Sequence, residues 1–266
     1  MTVKKSPSFS RALVTGASSG IGTAMSRLLA KKGISLILTG RNQEQLHSLA
    51  TELSTLVPVE IIVADLTKTG ERFVLINTIR EQAPDLVINN AGFGLYGKAT
   101  DTPIEQQLQM IDLNARTAFE ITLEAANALK QKQRHGVILN VSSIAGFYTF
   151  PYMAAYAASK AFITNVSQAL DEEMRESGIR ILASCPGMVD TNFAKRAGGK
   201  HSTSPSFLVM SPEYAAEEMW KQIIRRKSLH LFSNIYRWLT FGITPLLPKK
   251  WVMKILKNNI KSRTTK

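Results

Sequence analysis

With 266 residues, 44% of them hydrophobic and 20% charged, the chain has the size and composition of a globular protein able to bury a full core as one α/β domain. Its single cysteine, Cys185, excludes a disulfide framework, and neither it nor the four histidines show metal-ligand spacing. The net charge of +13 is concentrated at one end: Met219 to Lys266 hold twelve Lys or Arg and no Asp or Glu, leaving the rest of the chain at about +1. Met1 to Ser10 contains Lys4 and Lys5 but no apolar stretch, so it does not read as a signal peptide, and a reducing, cytoplasmic location is the expectation.

Arg11 to Thr15 reads as a short buried strand running into Gly16-Ala17-Ser18-Ser19-Gly20-Ile21-Gly22 and then an amphipathic helix to about Lys32. A strand, a glycine turn and a helix N-terminus make a site for a dinucleotide phosphate, because amide N–H groups point outward where side chains are absent. Ser35 to Thr39 is the second strand, with Arg41 just past its tip. An acidic residue near this point would bond the ribose hydroxyls of NAD; here an arginine stands ready to neutralise a 2′-phosphate, which favours NADP(H) over NAD(H). The plainer reading is a solvated arginine after a strand. A helix over 44–56 and a strand over 59–64 follow, ending in Asp65-Leu66; Asp65 suits either a helix cap or an adenine contact.

The pattern continues with a helix over 70–81 and a strand over 85–88 that ends in Asn89-Asn90-Ala91-Gly92. Small polar residues at a carboxyl-terminal strand edge mark where ligands bind in open parallel sheets. One long helix is expected from Pro103 to about Arg134, with Asn114 inside it, where asparagine needs a partner. Gly136 to Val141 is the fifth strand and Arg180 to Cys185 the sixth, ending in Pro186-Gly187. Met188 to Met210 reads as a loop with few apolar anchors; Ser211-Pro212 opens another helix, and Leu229 to Phe232 is a last strand. Alternating strands and helices predict one doubly wound parallel sheet over residues 1–234, with 235–266 as an extension.

Between the fifth and sixth strands lie Ser142-Ser143 and Tyr156-Ala157-Ala158-Ser159-Lys160. On a helix, Tyr156 and Lys160 share one face. An ammonium near a phenol favours the phenolate, lowering a pKa that is otherwise near 10 and making the phenol a usable acid or base. From a strand tip, Ser143 could hydrogen-bond a carbonyl presented to Tyr156. Taken alone, these residues also suit an ordinary surface pair.

Together, Thr15-Gly16-x-x-x-Gly20-x-Gly22, Asn89-Asn90-Ala91-Gly92, Asn114, Ser143, Tyr156-x-x-x-Lys160 and Pro186-Gly187 resemble the short-chain dehydrogenase/reductase family in order and spacing, over roughly residues 10 to 232. The resemblance implies a Rossmann-type fold of about seven parallel strands binding NAD(P). It implies Tyr156 as catalytic acid/base and Lys160 lowering its pKa and holding the nicotinamide ribose. Ser143 would polarise the substrate carbonyl, and Asn114 would hold a water relaying protons to Lys160. For the cofactor it implies Gly16, Ser18, Ser19, Gly20, Ile21 and Gly22 around the pyrophosphate, Asp65 and Leu66 at the adenine, and Asn89, Ala91 and Gly92 along the adenosine. Pro186, Gly187, Val189 and Thr191 would bound the nicotinamide. It also implies a homodimer or homotetramer built on the helices of Asn114 and Tyr156.

Phe93, Leu95 and Tyr96, with Phe147, Tyr148, Phe150, Tyr152 and Met153, suggest an apolar substrate such as a fatty acyl, steroid-like or terpenoid carbonyl compound, unless they only pack in the core. A non-catalytic NADP-binding sensor is the competing function. In the extension, Ile235 to Leu247 is too short to cross a bilayer. After Pro248, a helix would gather Trp251, Val252, Ile255, Leu256 and Ile260 on one side and Lys249, Lys250, Lys254, Lys257 and Lys261 largely on the other. Such a basic amphipathic helix suits a membrane surface, or else packs on the protein itself; no recognition module for nucleic acid accompanies it.

Overall fold

The computed structural model describes residues 9–198 and 209–264; the reading of Met1 to Ser10 and that of the 188–210 loop fall partly outside them. Six strands form on the expected apolar runs: β1 (Arg11–Thr15), β2 (Ser35–Gly40), β3 (Val59–Val63), β4 (Leu86–Asn89), β5 (Gly136–Val141) and β6 (Ile179–Cys185). Between and after them run α1 (Gly20–Lys31), α2 (Gln43–Leu53), α3 (Thr69–Gln82), α4 (Ile104–Ile111), α5 (Ala118–Gln131) and α6 (Ala154–Met174).

The expected loop after β6 contains structure of its own. A two-residue strand β7 (Met188–Val189), a short helix α7 (Phe193–Arg196) and a strand β8 (Val209–Met210) form there, β8 pairing in parallel with β7. The chain continues through α8 (Pro212–Arg225), β9 (Leu229–Leu231), α9 (Asn234–Arg237) and α10 (Lys249–Thr264). Ser211 caps α8 by accepting a hydrogen bond from the Tyr214 amide, with Pro212 in the first turn as its sequence indicates.

The main sheet has seven parallel strands in the order β3-β2-β1-β4-β5-β6-β9. Its strands are nearly continuous apolar runs because both faces are covered. Val14, Leu38, Ile88 and Leu139 face α1, α2 and α8 through Met25, Leu29, Leu46 and Met219. Leu13, Ile37, Val87 and Ile138 face the other way, onto Leu75 and Ile79 of α3 and Ile121 and Leu129 of α5. The strand order reverses between β1 and β4, so the carboxyl ends of these two strands open the crevice where an α/β sheet takes its ligand.

The long helix expected over 103–134 is broken into α4 and α5 by a π-helical turn at Asp112–Thr117. Helix-forming residues continue through such a turn, so composition marks no boundary there, and only the one-residue offset in the apolar spacing records it. Ile104, Leu108 and Ile111 of α4 and Phe162 of α6 are exposed apolar residues on the helices expected to pair subunits.

In the extension, α9 runs into a second π-helical turn, Trp238–Ile243. Tyr236 is buried against Gly187, Thr240 bonds the Tyr148 hydroxyl at 2.8 Å, and Phe241 meets Phe147 edge-on at 5.5 Å. The apolar residues of α10 divide: Ile260 is buried, Val252 and Leu256 are half-buried, and Trp251 and Ile255 are exposed. Among the described residues no helix is long and apolar enough to cross a membrane.

Candidate active site

The site forms where β1, β4, β5 and β6 end. After β1, Gly16 and Gly20 take positive φ values of 65° and 55°, a conformation that glycine adopts without strain. A Cβ on Gly22 would lie 2.2 Å from the Gly16 carbonyl oxygen and 2.7 Å from Asn90 Nδ2, so the turn closes this tightly only with glycine there. Ser19 precedes α1 with extended backbone, and its side chain makes no capping bond, leaving the amides of the first turn available. Ile21 packs partly buried on the core beneath. A Cβ on Gly40, at the tip of β2, would come 2.9 Å from Ser18 Oγ.

Asn90 ties the two central strands together. Its Nδ2 donates to the carbonyls of Thr15 (3.0 Å) and Gly16 (3.2 Å), while Thr15 Oγ1 accepts from the amides of Asn90 and Ala91. Asn89, expected at the adenosine, instead points inward; it is buried and donates to Ala118 O, Thr122 Oγ1 and Asn140 Oδ1. Successive residues at a strand end face opposite sides, which separates these two asparagines. Asn90 and Thr15 are thus positioning residues that the motif alone did not single out.

At the edge of the crevice, Arg41 reaches Asp65 at 3.7 Å. Asp65 also accepts from the Thr67 amide and hydroxyl, at 3.0 and 2.8 Å, so it forms a local turn before α3 and not a cap. Burial raises its carboxyl pKa, but the Thr67 bonds and the Arg41 charge outweigh this and hold it below the usual range. Leu66 is buried; its carbonyl accepts from Arg72 and Thr117.

Asn114 points inward from the π-helical turn. Its Nδ2 donates to Phe93 O at 2.8 Å and its Oδ1 accepts from the Phe93 amide at 3.1 Å. A Cβ on Gly92 would lie 2.8 Å from Asn114 Oδ1 and 3.5 Å from Lys160 Nζ, so the three residues meet at one point. Lys160 is buried and donates to Val141 O at 2.8 Å. Burial lowers its pKa from the ordinary 10.5 to about 8, which leaves most of it charged at neutral pH.

Tyr156 is 7% exposed, and Ser143 lies beside its hydroxyl. Burial pushes the phenol well above its ordinary pKa, and the neighbouring Ser143 hydroxyl only partly opposes it. The lowering expected from Lys160 is not the dominant effect: the ammonium lies 5.9 Å from the ring centroid and spends a hydrogen bond on Val141. Ser143 also accepts from the Ala145 amide at 3.1 Å. Its neighbour Ser142 serves structure, donating to Lys160 O and pairing with Thr164 Oγ1.

Around Tyr156 gather Phe93, Leu95, Phe150 and Phe193, together with Met110 and, from α10, Ile260 at 2% exposure. The Phe193 ring stands 5.5 Å from that of Tyr156. Neither Phe193 nor Ile260 carries a sequence signal for this place, since each is brought there by the course of a distant segment. At the end of β6, Pro186 O accepts from the Ile144 amide, Gly187 abuts Tyr236, Val189 packs on the core, and Thr191 lies against Gly20.

A family model described as short chain dehydrogenase matches residues 10–201. The chain belongs to that family. This short-chain dehydrogenase is an oxidoreductase working by NAD(P)-dependent hydride transfer. It is 37% identical to an uncharacterized oxidoreductase of Staphylococcus epidermidis over 182 residues, 68% of this chain and 78% of that one. It is also similar to the structure of a short-chain dehydrogenase from Sphingobium yanoikuyae in complex with NADPH, with 28% identity, 95% of each chain covered and a TM-score of 0.80. A bulky-bulky ketone specific alcohol dehydrogenase from Comamonas testosteroni shares the fold at 24% identity and a TM-score of 0.76, with 96% of this chain and 95% of that one covered. The residues of this short-chain dehydrogenase fit a dinucleotide: a glycine turn with uncapped amides, a basic side chain at the β2 tip, and a buried lysine beside Gly92.

Proposed function

We propose that this short-chain dehydrogenase reduces an apolar carbonyl compound with NADPH, using Tyr156 as the proton donor. The observation that carries the reading is a buried phenol, with Ser143 beside it, set among Phe93, Leu95, Phe150 and Phe193. The nicotinamide supplies the hydride. Ser143 holds the carbonyl oxygen, and Tyr156, protonated at neutral pH, gives its proton to that oxygen as negative charge develops there. Burial keeps the phenol protonated at neutral pH, which is the form the reducing direction draws on. Lys160 and Asn114, meeting at Gly92, then return a proton towards Tyr156. Gly16, Ser18 to Gly22, Ala91, Gly92, Pro186, Gly187, Val189 and Thr191 would hold the cofactor, with Arg41 selecting the 2′-phosphate. The related Sphingobium enzyme was solved with NADPH, which supports that choice.

The test is cofactor oxidation with a panel of bulky ketones, diketones and quinones. NADPH is expected to turn over faster than NADH by at least about tenfold, the worth of one charge-assisted contact. Tight NADPH binding with no turnover on any member would instead favour a non-catalytic sensor.

For residues 235–266 the reading is contact with an anionic membrane surface. Exposed Trp238 (72%), Leu246 (84%), Trp251 (66%) and Ile255 (64%) stand among basic residues with no acidic neighbour in that part of the chain. Each lysine near such a surface contributes on the order of 1 kcal/mol. Trp238→Ser with Trp251→Ser is expected to abolish co-sedimentation with phosphatidylserine vesicles at physiological salt, while neutral vesicles bind neither form. Equal sedimentation of variant and wild type would refute the membrane reading.

A further inference from the structure

The short helix α7 presents two side chains at opposite ends of the crevice. Phe193 meets Tyr156, whereas Arg196 reaches back over the glycine turn to place Nη2 3.4 Å from Ser19 Oγ. Arg41 follows Gly40, where an added Cβ would come 2.9 Å from Ser18 Oγ, so both arginines flank the Ser18–Ser19 turn; burial, and after it the Arg41 charge, depress the Arg196 pKa. Arg41 has Asp65 at 3.7 Å, but among the described residues no carboxylate lies within ion-pair distance of Arg196. Two like charges on either side of uncapped helix amides, only one of them with a carboxylate partner, form a place where a multiply charged anion turns repulsion into attraction. A phosphate monoester fits that description, and a planar guanidinium fork matches its oxygens.

We propose that Arg196 is a second ligand for the adenosine 2′-phosphate of NADP(H), acting with Arg41. The inference rests on the NADP preference argued above and goes beyond it by assigning recognition to the segment after β6. The same short helix carries Phe193, so the side chain proposed to hold the phosphate and the one packed beside Tyr156 lie within four residues of each other.

The test is calorimetric titration of the full chain, wild type and variants, with NADP+, NAD+ and 2′,5′-ADP. Arg196→Ala is expected to weaken NADP+ and 2′,5′-ADP by roughly tenfold or more, the loss of one charge-assisted contact, and NAD+ by less than about twofold. Arg196→Lys should recover part of the loss, since charge is kept and the fork is not. Equal weakening of NADP+ and NAD+ by Arg196→Ala would assign the residue to loop packing and overturn the proposal, as would no change in either. If Arg41→Ala removes the preference while Arg196→Ala does not, the NADP reading stands and only the role of Arg196 falls. A wild type that binds NAD+ as tightly as NADP+ refutes both.

Discussion

Tyr156→Phe is expected to lower kcat by about a thousandfold, the middle of the range for losing a positioned acid, while NADP+ affinity stays within about threefold. The substitution removes one oxygen and keeps the ring, so the contact with Phe193 at 5.5 Å and the packing with Met153 survive. What disappears is the hydroxyl beside Ser143, the group that burial keeps protonated at neutral pH. Without it, charge developing on a carbonyl oxygen meets only the Ser143 hydroxyl, and Lys160 is held away on the Val141 carbonyl. Steady-state kinetics with a bulky ketone, paired with calorimetry on NADP+, separates the proton from the binding. A variant retaining wild-type kcat would remove Tyr156 from the chemistry.

Gly22→Ala is expected to damage both stability and cofactor affinity. Its Cβ would sit 2.2 Å from the Gly16 carbonyl oxygen and 2.7 Å from Asn90 Nδ2, and the backbone oxygen cannot swing aside as a side chain would. The turn has to open, breaking the Asn90 bonds that tie β1 to β4. Overpacking of this kind costs about 3 kcal/mol, or a fall in Tm of roughly 6–12 °C for a chain this size. Affinity for NADP+ should fall by more than about tenfold, because displaced amides no longer converge on the pyrophosphate. Gly33→Ala is the control: its φ of 75° imposes strain, but nothing lies within 4 Å of the added methyl and it stands away from the crevice. It should cost about 1 kcal/mol and leave affinity unchanged. Thermal melts and calorimetry on both variants check this, and equal behaviour would mean the turn tolerates a side chain.

Much of this was legible in the residues. Apolar runs bounded by turn residues marked the strands, and glycine spacing after β1 marked the crevice, because both follow from local backbone chemistry. Three features were not legible, each for a physical reason. The π-helical turn that aims Asn114 at Phe93 shifts the apolar spacing by a single residue and is flanked by helix on both sides, so 103–134 read as one helix. The asparagine pair divides between the interior and the crevice, and which one turns inward depends on the register of Asn89 opposite Asn140. In α10, Trp251, Val252, Ile255, Leu256 and Ile260 make one broad stripe, and only tertiary contact decides that Ile260 enters the cluster around Tyr156 while Trp251 and Ile255 remain outside.

The most direct measurement follows an isotope. After a single turnover with NADPH deuterated at the transferred position of C4, the alcohol formed from a bulky ketone should carry deuterium at its carbinol carbon, and its hydroxyl proton should exchange from solvent through Tyr156. Alcohol free of the label, or labelled alcohol formed as fast when residue 156 lacks its hydroxyl, would contradict the assignment of hydride and proton to this site.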